Sequence, residues 1–123
     1  MANLVIKNEY PRVQKQILVD DGTAITLGIV VSNTEVEAKN GKKIVKAGTP
    51  VAGDLKDRNT AFTVGTEANA VGVLLHDVDV TEGNANGTIV ALGCVDLNKL
   101  DADVQEKITE NVETKLTRIL FIK

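Results

Sequence analysis

Hydrophobic and polar residues alternate in short runs along most of this chain, and one stretch switches to a helical period. Residues 16–19 and 24–31 are β-prone runs separated by Asp20-Asp21-Gly22-Thr23, and an Asp-Gly pair between such runs predicts a hairpin. Asn40-Gly41, between residues 35–38 and 43–46, predicts a second one. Gly48-Thr49-Pro50-Val51 reads as a turn that leads into a short strand. Residues 56–69 are polar, anchored by Phe62 and Val64, and read as a loop with one short strand at 61–64. Residues 70–80 read as a central strand, with Val71, Val73 and Leu75 on one face and Leu74 and Val78 toward the other. A polar turn at 82–87 separates it from the next strand, 88–95, and residues 116–123 return to strand character.

The helical period lies between these last two runs. Leu100, Val104, Ile108 and Val112 recur every fourth residue and form one apolar stripe. Asp101 or Asp103 can cap its start, where a carboxylate accepts from unpaired amides and its charge suits the positive helix end. Glu106, Glu110 and Glu113 fall on the solvent side.

The first sixteen residues differ from the rest. Leu4-Val5-Ile6 can pair as a strand, but Pro11 lacks an amide donor and biases Tyr10 toward an extended conformation. An extended arm and an edge strand added to the chain's own sheet both fit. The expected organisation is an N-terminal arm over residues 1–16 and a single β-rich domain over 17–123. Within that domain, hairpins occupy 17–46 and a core module 47–123. The expected fold is mostly β with one short helix (α+β), a compact β-sandwich or barrel-like module with an N-terminal arm.

Composition narrows the function classes. A chain of 123 residues buries roughly two-thirds of its unfolded surface, enough for a core without staples. Its aromatics are Tyr10, Phe62 and Phe121, so the core must be aliphatic and β-branched. The formal net charge of −3 argues against nucleic acid as a partner, since phosphate binding needs clustered positive charge. Lys39, Lys42, Lys43 and Lys46 form the densest basic cluster, and its Asn40-Gly41 interruption reads as a solvated hairpin. Few aromatics also leave no stacking platform for single strands. The start lacks the basic and apolar order of a signal peptide, and no apolar run approaches the roughly twenty residues of a membrane helix. A soluble product made in a cytoplasm is expected.

The candidate chemistry is sparse. His76 is the sole histidine, in His76-Asp77-Val78-Asp79, where strand alternation separates it from both carboxylates. Residues 77–88 place Glu82 and Thr88 where a calcium loop of the EF-hand type needs glycine and a bidentate glutamate. Cys94 is the sole cysteine and sits in an apolar run, as a buried small hydrophobe would. Ser32 has no glycine elbow, and residues 65–72 match neither a P-loop nor a dinucleotide fingerprint. No catalytic residue, metal site or cofactor is therefore expected.

From residue 47 onward the chain resembles the lambda-type head decoration proteins of tailed bacteriophages. Ala47-Gly48-Thr49-Pro50-Val51 with Asp54-Leu55 looks like that family's opening strand. Ala70-Val71-Gly72-Val73-Leu74-Leu75, followed by Asp77-Val78-Asp79, is similar to its glycine-containing central strand. Gly93-Cys94-Val95-Asp96-Leu97 and the helix resemble its next strand and crossover, and residues 116–122 its closing strand. Order and spacing carry the resemblance, which covers the chain from 47 to its last strand. The predicted hairpins before residue 47 depart from the family, which often has a disordered arm there.

The resemblance implies a non-enzymatic protein on the outside of the virion, made in the bacterial host cytoplasm. It also implies the major capsid protein and further copies of the chain as partners, in a trimer at local threefold positions that reinforces the expanded shell. Nucleic acid and membrane are not among the expected partners. Capsid contact through Asn3, Leu4, Val5, Ile6 and Lys7 would add a strand to a capsid-protein sheet edge. A second resemblance runs through residues 45–55, which are similar to the second half-motif of lipoyl and biotinyl carrier domains. Those carriers modify a lysine at a tight hairpin in a Met-Lys-Met or Asp-Lys-Ala context, and no lysine here has such neighbours.

Overall fold

The computed structural model describes residues 16–19, 21–34, 36–64 and 69–123. These form a small, mostly β domain with two short helices and two β-sheets. The arm expected over residues 1–16 lies outside the described residues except for Gln16.

One long strand organises the larger sheet. Strand β7 (Ala85–Asp96) pairs along its first half with β1 (Ile25–Val31) on one side and β5 (Gly72–Leu74) on the other, both antiparallel. From β5 the sheet continues through β3 (Pro50–Ala52) to β4 (Thr63–Val64). The second half of β7 pairs in parallel with β8 (Ile119–Ile122), in register from Gly93↔Ile119 to Asp96↔Ile122. A parallel pair needs a crossover, and here a 3-10 turn and the two helices supply it. The smaller sheet pairs β2 (Ile44–Val45) with β6 (Val78–Asp79).

Among the described residues, a bridge joins the two ends of the five-strand path from β1 to β4. Val31 pairs in parallel with Phe62, as Ser32 donates to the Phe62 carbonyl at 2.8 Å and the Phe62 amide donates to Val30 at 2.7 Å.

Along the first half of β7 the sheet is covered on both faces, so adjacent residues there enter different cores. Val90 and Val95 pack with Leu18, Leu100, Val104, Ile108, Val112 and Ile119 beneath the helices. Ile89 packs on the other side with Ile29, Val31, Val51, Leu74 and Phe62, roofed by Val45 and Val78 of the smaller sheet.

Four expectations are corrected. Residues 16–19 and β1 do not pair as a hairpin across Asp20-Asp21-Gly22-Thr23. Both lie along β7 instead: Leu18 bridges Val95, the Val19 amide donates to the Cys94 carbonyl at 3.0 Å, and Ile25 is in register with Leu92. β7 offers a longer apolar pairing surface than the two runs offer each other. The Asn40-Gly41 turn does form, with φ of 54° and 78°, the left-handed pair that a two-residue hairpin needs. It closes only one rung, Lys39↔Lys42, before β2 leaves to pair with β6.

The expected central strand over 70–80 is two strands, β5 and β6, in different sheets. The chain bends at Leu75-His76, and Asp77 Oδ1 holds the bend by accepting from the Ala47 amide at 2.7 Å.

The single helix is also two, α1 (Ala102–Gln105) and α2 (Glu110–Lys115). Ile108 and Thr109 are β-branched and poor helix formers, and Thr109 instead caps α2 through Oγ1, which accepts from the Val112 amide at 3.4 Å. All four residues of the apolar stripe are nevertheless buried. Asp101 occupies the cap position of α1 without a side-chain capping bond.

Candidate functional site

The lysine cluster forms one wall of a cleft of about 650 Å³ between the Asn40-Gly41 turn and α1. Its floor is apolar, with Val36, Ile44, Val45 and Val104, and the fold adds Lys107 to Lys39, Lys42 and Lys46 at the rim. Lys43, predicted with them, turns its backbone into the β2 neighbourhood, where its amide donates to Thr81 Oγ1 at 2.8 Å. Carboxylates answer the ammonium groups. Glu37 and Asp103 line the same cleft, Lys46 Nζ lies 3.3 Å from Asp101 and 3.1 Å from Asp103, and Asp79 attracts Lys42. Four lysines thus face four carboxylates, which supports the solvated-hairpin reading over an anion site.

The Lys46 group behaves as an electrostatic clasp between the turn and α1. Burial pushes its ammonium pKa down, but hydrogen bonds and attraction from Asp103 and Asp101 outweigh this and raise it. Burial likewise pushes the Asp103 carboxyl up, and Lys46 brings it below its ordinary value. Asp103 therefore contributes stability that is complete above the ordinary carboxylate pKa of about 4 and lost as pH falls through its lowered value. Lys46 contributes below its ordinary pKa and loses this as pH rises through its raised one. Lys46 is half-buried and Asp103 exposed, so the pair is screened by water and Lys46→Met is expected to cost less than about 1 kcal/mol. Thermal unfolding followed from neutral to acidic pH checks this, since the variant should lose less stability on acidification than the wild type.

The acidic segment after the bend does not converge on His76. Asp77 is engaged by the Ala47 amide, and the Thr81 hydroxyl and amide both donate to Asp79 Oδ1, holding its carboxyl below the usual range. His76 is half-buried, and its Nδ1 has no hydrogen-bond partner among the described residues. Among those residues no group of three or more His, Cys, Asp or Glu side chains is placed to hold a metal ion. No helix among them is long and apolar enough to cross a membrane.

A different surface stands out, and of its residues only Cys94 was weighed for chemistry from the sequence. Alternation places Leu92, Cys94 and Asp96 of β7 on the face turned away from the helices, since Val95 and its partner Leu18 face the helix-side core. Residues opposite one another share a face, so Val19 and Leu120 flank Cys94, Ile25 lies beside Leu92, and Ile122 beside Asp96. Val19, Ile25 and Leu120 are more than half exposed, and Ile122 is 37% exposed. Cys94, expected to be buried, is half-buried within this face. The capsid-contact residues expected from sequence, Asn3, Leu4, Val5, Ile6 and Lys7, lie outside the described residues.

No family model matches the chain, and no curated protein matches it.

Proposed function

We propose that this chain is a head decoration protein of a tailed bacteriophage, a non-enzymatic part of the virion exterior. In this reading it binds the outer surface of the expanded capsid as a homotrimer at local threefold positions, with the major capsid protein as its partner. The observation that carries it is the placement of the segments on which the resemblance rests. Residues 47–55, 70–79, 93–97 and 116–122 contain β3, β5 with β6, the end of β7, and β8. Of these, β3, β5, β7 and β8 are successive hydrogen-bonded neighbours. Order and spacing alone would not require that adjacency, so it supports residues 47–123 as one module. The Val31–Phe62 bridge favours a barrel-like closure of the sheet that this module forms with β1.

A decoration protein needs cohesion more than chemistry. It must hold its own copies together and grip a shell, and its stability must exceed the load it shares. The two packed cores and the exposed apolar face suit that task. We assign the grip to the N-terminal arm, with Asn3, Leu4, Val5, Ile6 and Lys7 adding a strand to a capsid-protein edge. Deleting residues 2–12 is expected to abolish co-sedimentation with expanded shells while leaving the far-ultraviolet circular dichroism of the domain intact. Undiminished binding by the deletion variant would contradict the assignment.

A further inference from the structure

We infer that the sheet face formed by Val19, Ile25, Leu92, Cys94, Leu120 and Ile122 is the surface through which copies of this chain associate. The inference takes its setting from the decoration reading, but its geometry stands apart from it.

The first argument is area. Val19 is 55% exposed, Ile25 52%, Leu120 63% and Ile122 37%. Together they leave on the order of 400 Å² of apolar surface in water, within the range of a monomer's largest patch, which is often functional. A standard interface buries about 800 Å² per partner, a little over half of it apolar. The four side chains therefore supply the apolar centre of one such interface.

The second argument is charge. Among the described residues, no ionisable group other than the Cys94 thiol interrupts the rows from Val19 to Leu120 and from Ile25 to Leu92. At the margin Asp96 stands in register with Ile122, while Arg118 and Lys123 bracket β8. A rim carrying both signs around an uncharged centre is matched by another copy of itself, whereas a partner of single sign would meet like charge.

The layout also suits a ring. Leu120 and Ile122 stand on the β8 flank of the β7 row, and Val19 and Ile25 on the opposite flank. One flank against the other flank of a neighbour is a heterologous contact, which closes when the rotation between neighbours allows it. A trimer is one such closure.

Sedimentation equilibrium and native mass measurement over a wide concentration range test the inference on the full chain. The samples are wild type, Leu120→Asp, Ile25→Asp and the exposed helix-side control Glu106→Lys. Wild type and control are expected to trimerise. Each face variant should weaken association at least tenfold, with an unchanged circular dichroism spectrum because its side chain is mostly exposed. Face variants that associate as tightly as wild type, or a wild type that stays monomeric to millimolar concentration, would overturn the inference. Co-sedimentation of the same four proteins with expanded shells separates the two readings. Association as expected without shell binding leaves the interface standing and removes the decoration function. A monomeric wild type whose shell binding is lost in Leu120→Asp assigns the face to the capsid protein instead.

Discussion

Replacing Phe62 by alanine is expected to destabilise the domain by about 3–5 kcal/mol, the range for emptying a buried aromatic site. Phe62 is fully buried and is the largest such side chain among the described residues. Its ring lies directly over Gly53, where an added Cβ would come within 2.5 Å of it. Its backbone carries the bridge to Val31, so the ring also fixes the bridge that links the two ends of the path. The surrounding Ile29, Val31, Val51, Leu74 and Ile89 come from four different strands, and partial collapse around a cavity would shift several pairings at once. Denaturant unfolding should show a lower midpoint at an unchanged slope, and Phe62→Leu should recover part of the loss. A loss below about 1 kcal/mol for alanine would mean that this second core is not cooperative with the rest of the domain.

Gly48→Ala is expected to cost about 2–5 kcal/mol, although it adds only one carbon. Two effects combine. The residue has φ of 91°, where an L side chain is strained, and its Cβ would lie 2.4 Å from Leu100 Cδ2. Leu100 is buried in the helix-side core and cannot yield without displacing its neighbours. The Gly48 amide also donates to the Leu74 carbonyl at 2.7 Å, so the backbone cannot simply swing away. Gly41→Ala provides the comparison, because Gly41 has φ of 78° with open space around it. It should show the conformational cost alone, about 1–2 kcal/mol. Equal losses at the two positions would show that the close approach of Gly48 to Leu100 contributes nothing.

These two sites mark what could and could not be read from residue order. The Asn40-Gly41 turn, β7, β8 and the buried stripe of Leu100, Val104, Ile108 and Val112 were legible because each follows from local chemistry or period. What escaped depends on distant partners. The bend that divides residues 70–80 is held by the Ala47 amide on Asp77, thirty residues away. The hairpin signal at Asp21-Gly22 lost to β7, whose Val95 and Leu92 receive Leu18 and Ile25. The helix broke where Thr109 gains more as a cap than as a helical residue.

The exposed face was the least legible feature. Ile119-Leu120-Phe121-Ile122 is apolar at every position, the pattern of a strand covered on both sides. Only the packing reveals that Ile119 is buried while Leu120 stands 63% exposed. Among the described residues one face of this strand is covered and the other is open, which is the observation on which the proposed self-association rests. The sequence carried the apolar run without showing which face stays open.

The most direct measurement of the proposed function is saturation binding of the chain to tailed-phage shells, before and after expansion, read by co-sedimentation and by the melting temperature of the shell. A decoration protein saturates the expanded shell in multiples of three copies per local threefold, raises the shell's melting temperature and leaves the unexpanded form bare. Failure to bind expanded shells at saturating concentration would contradict the proposed function outright.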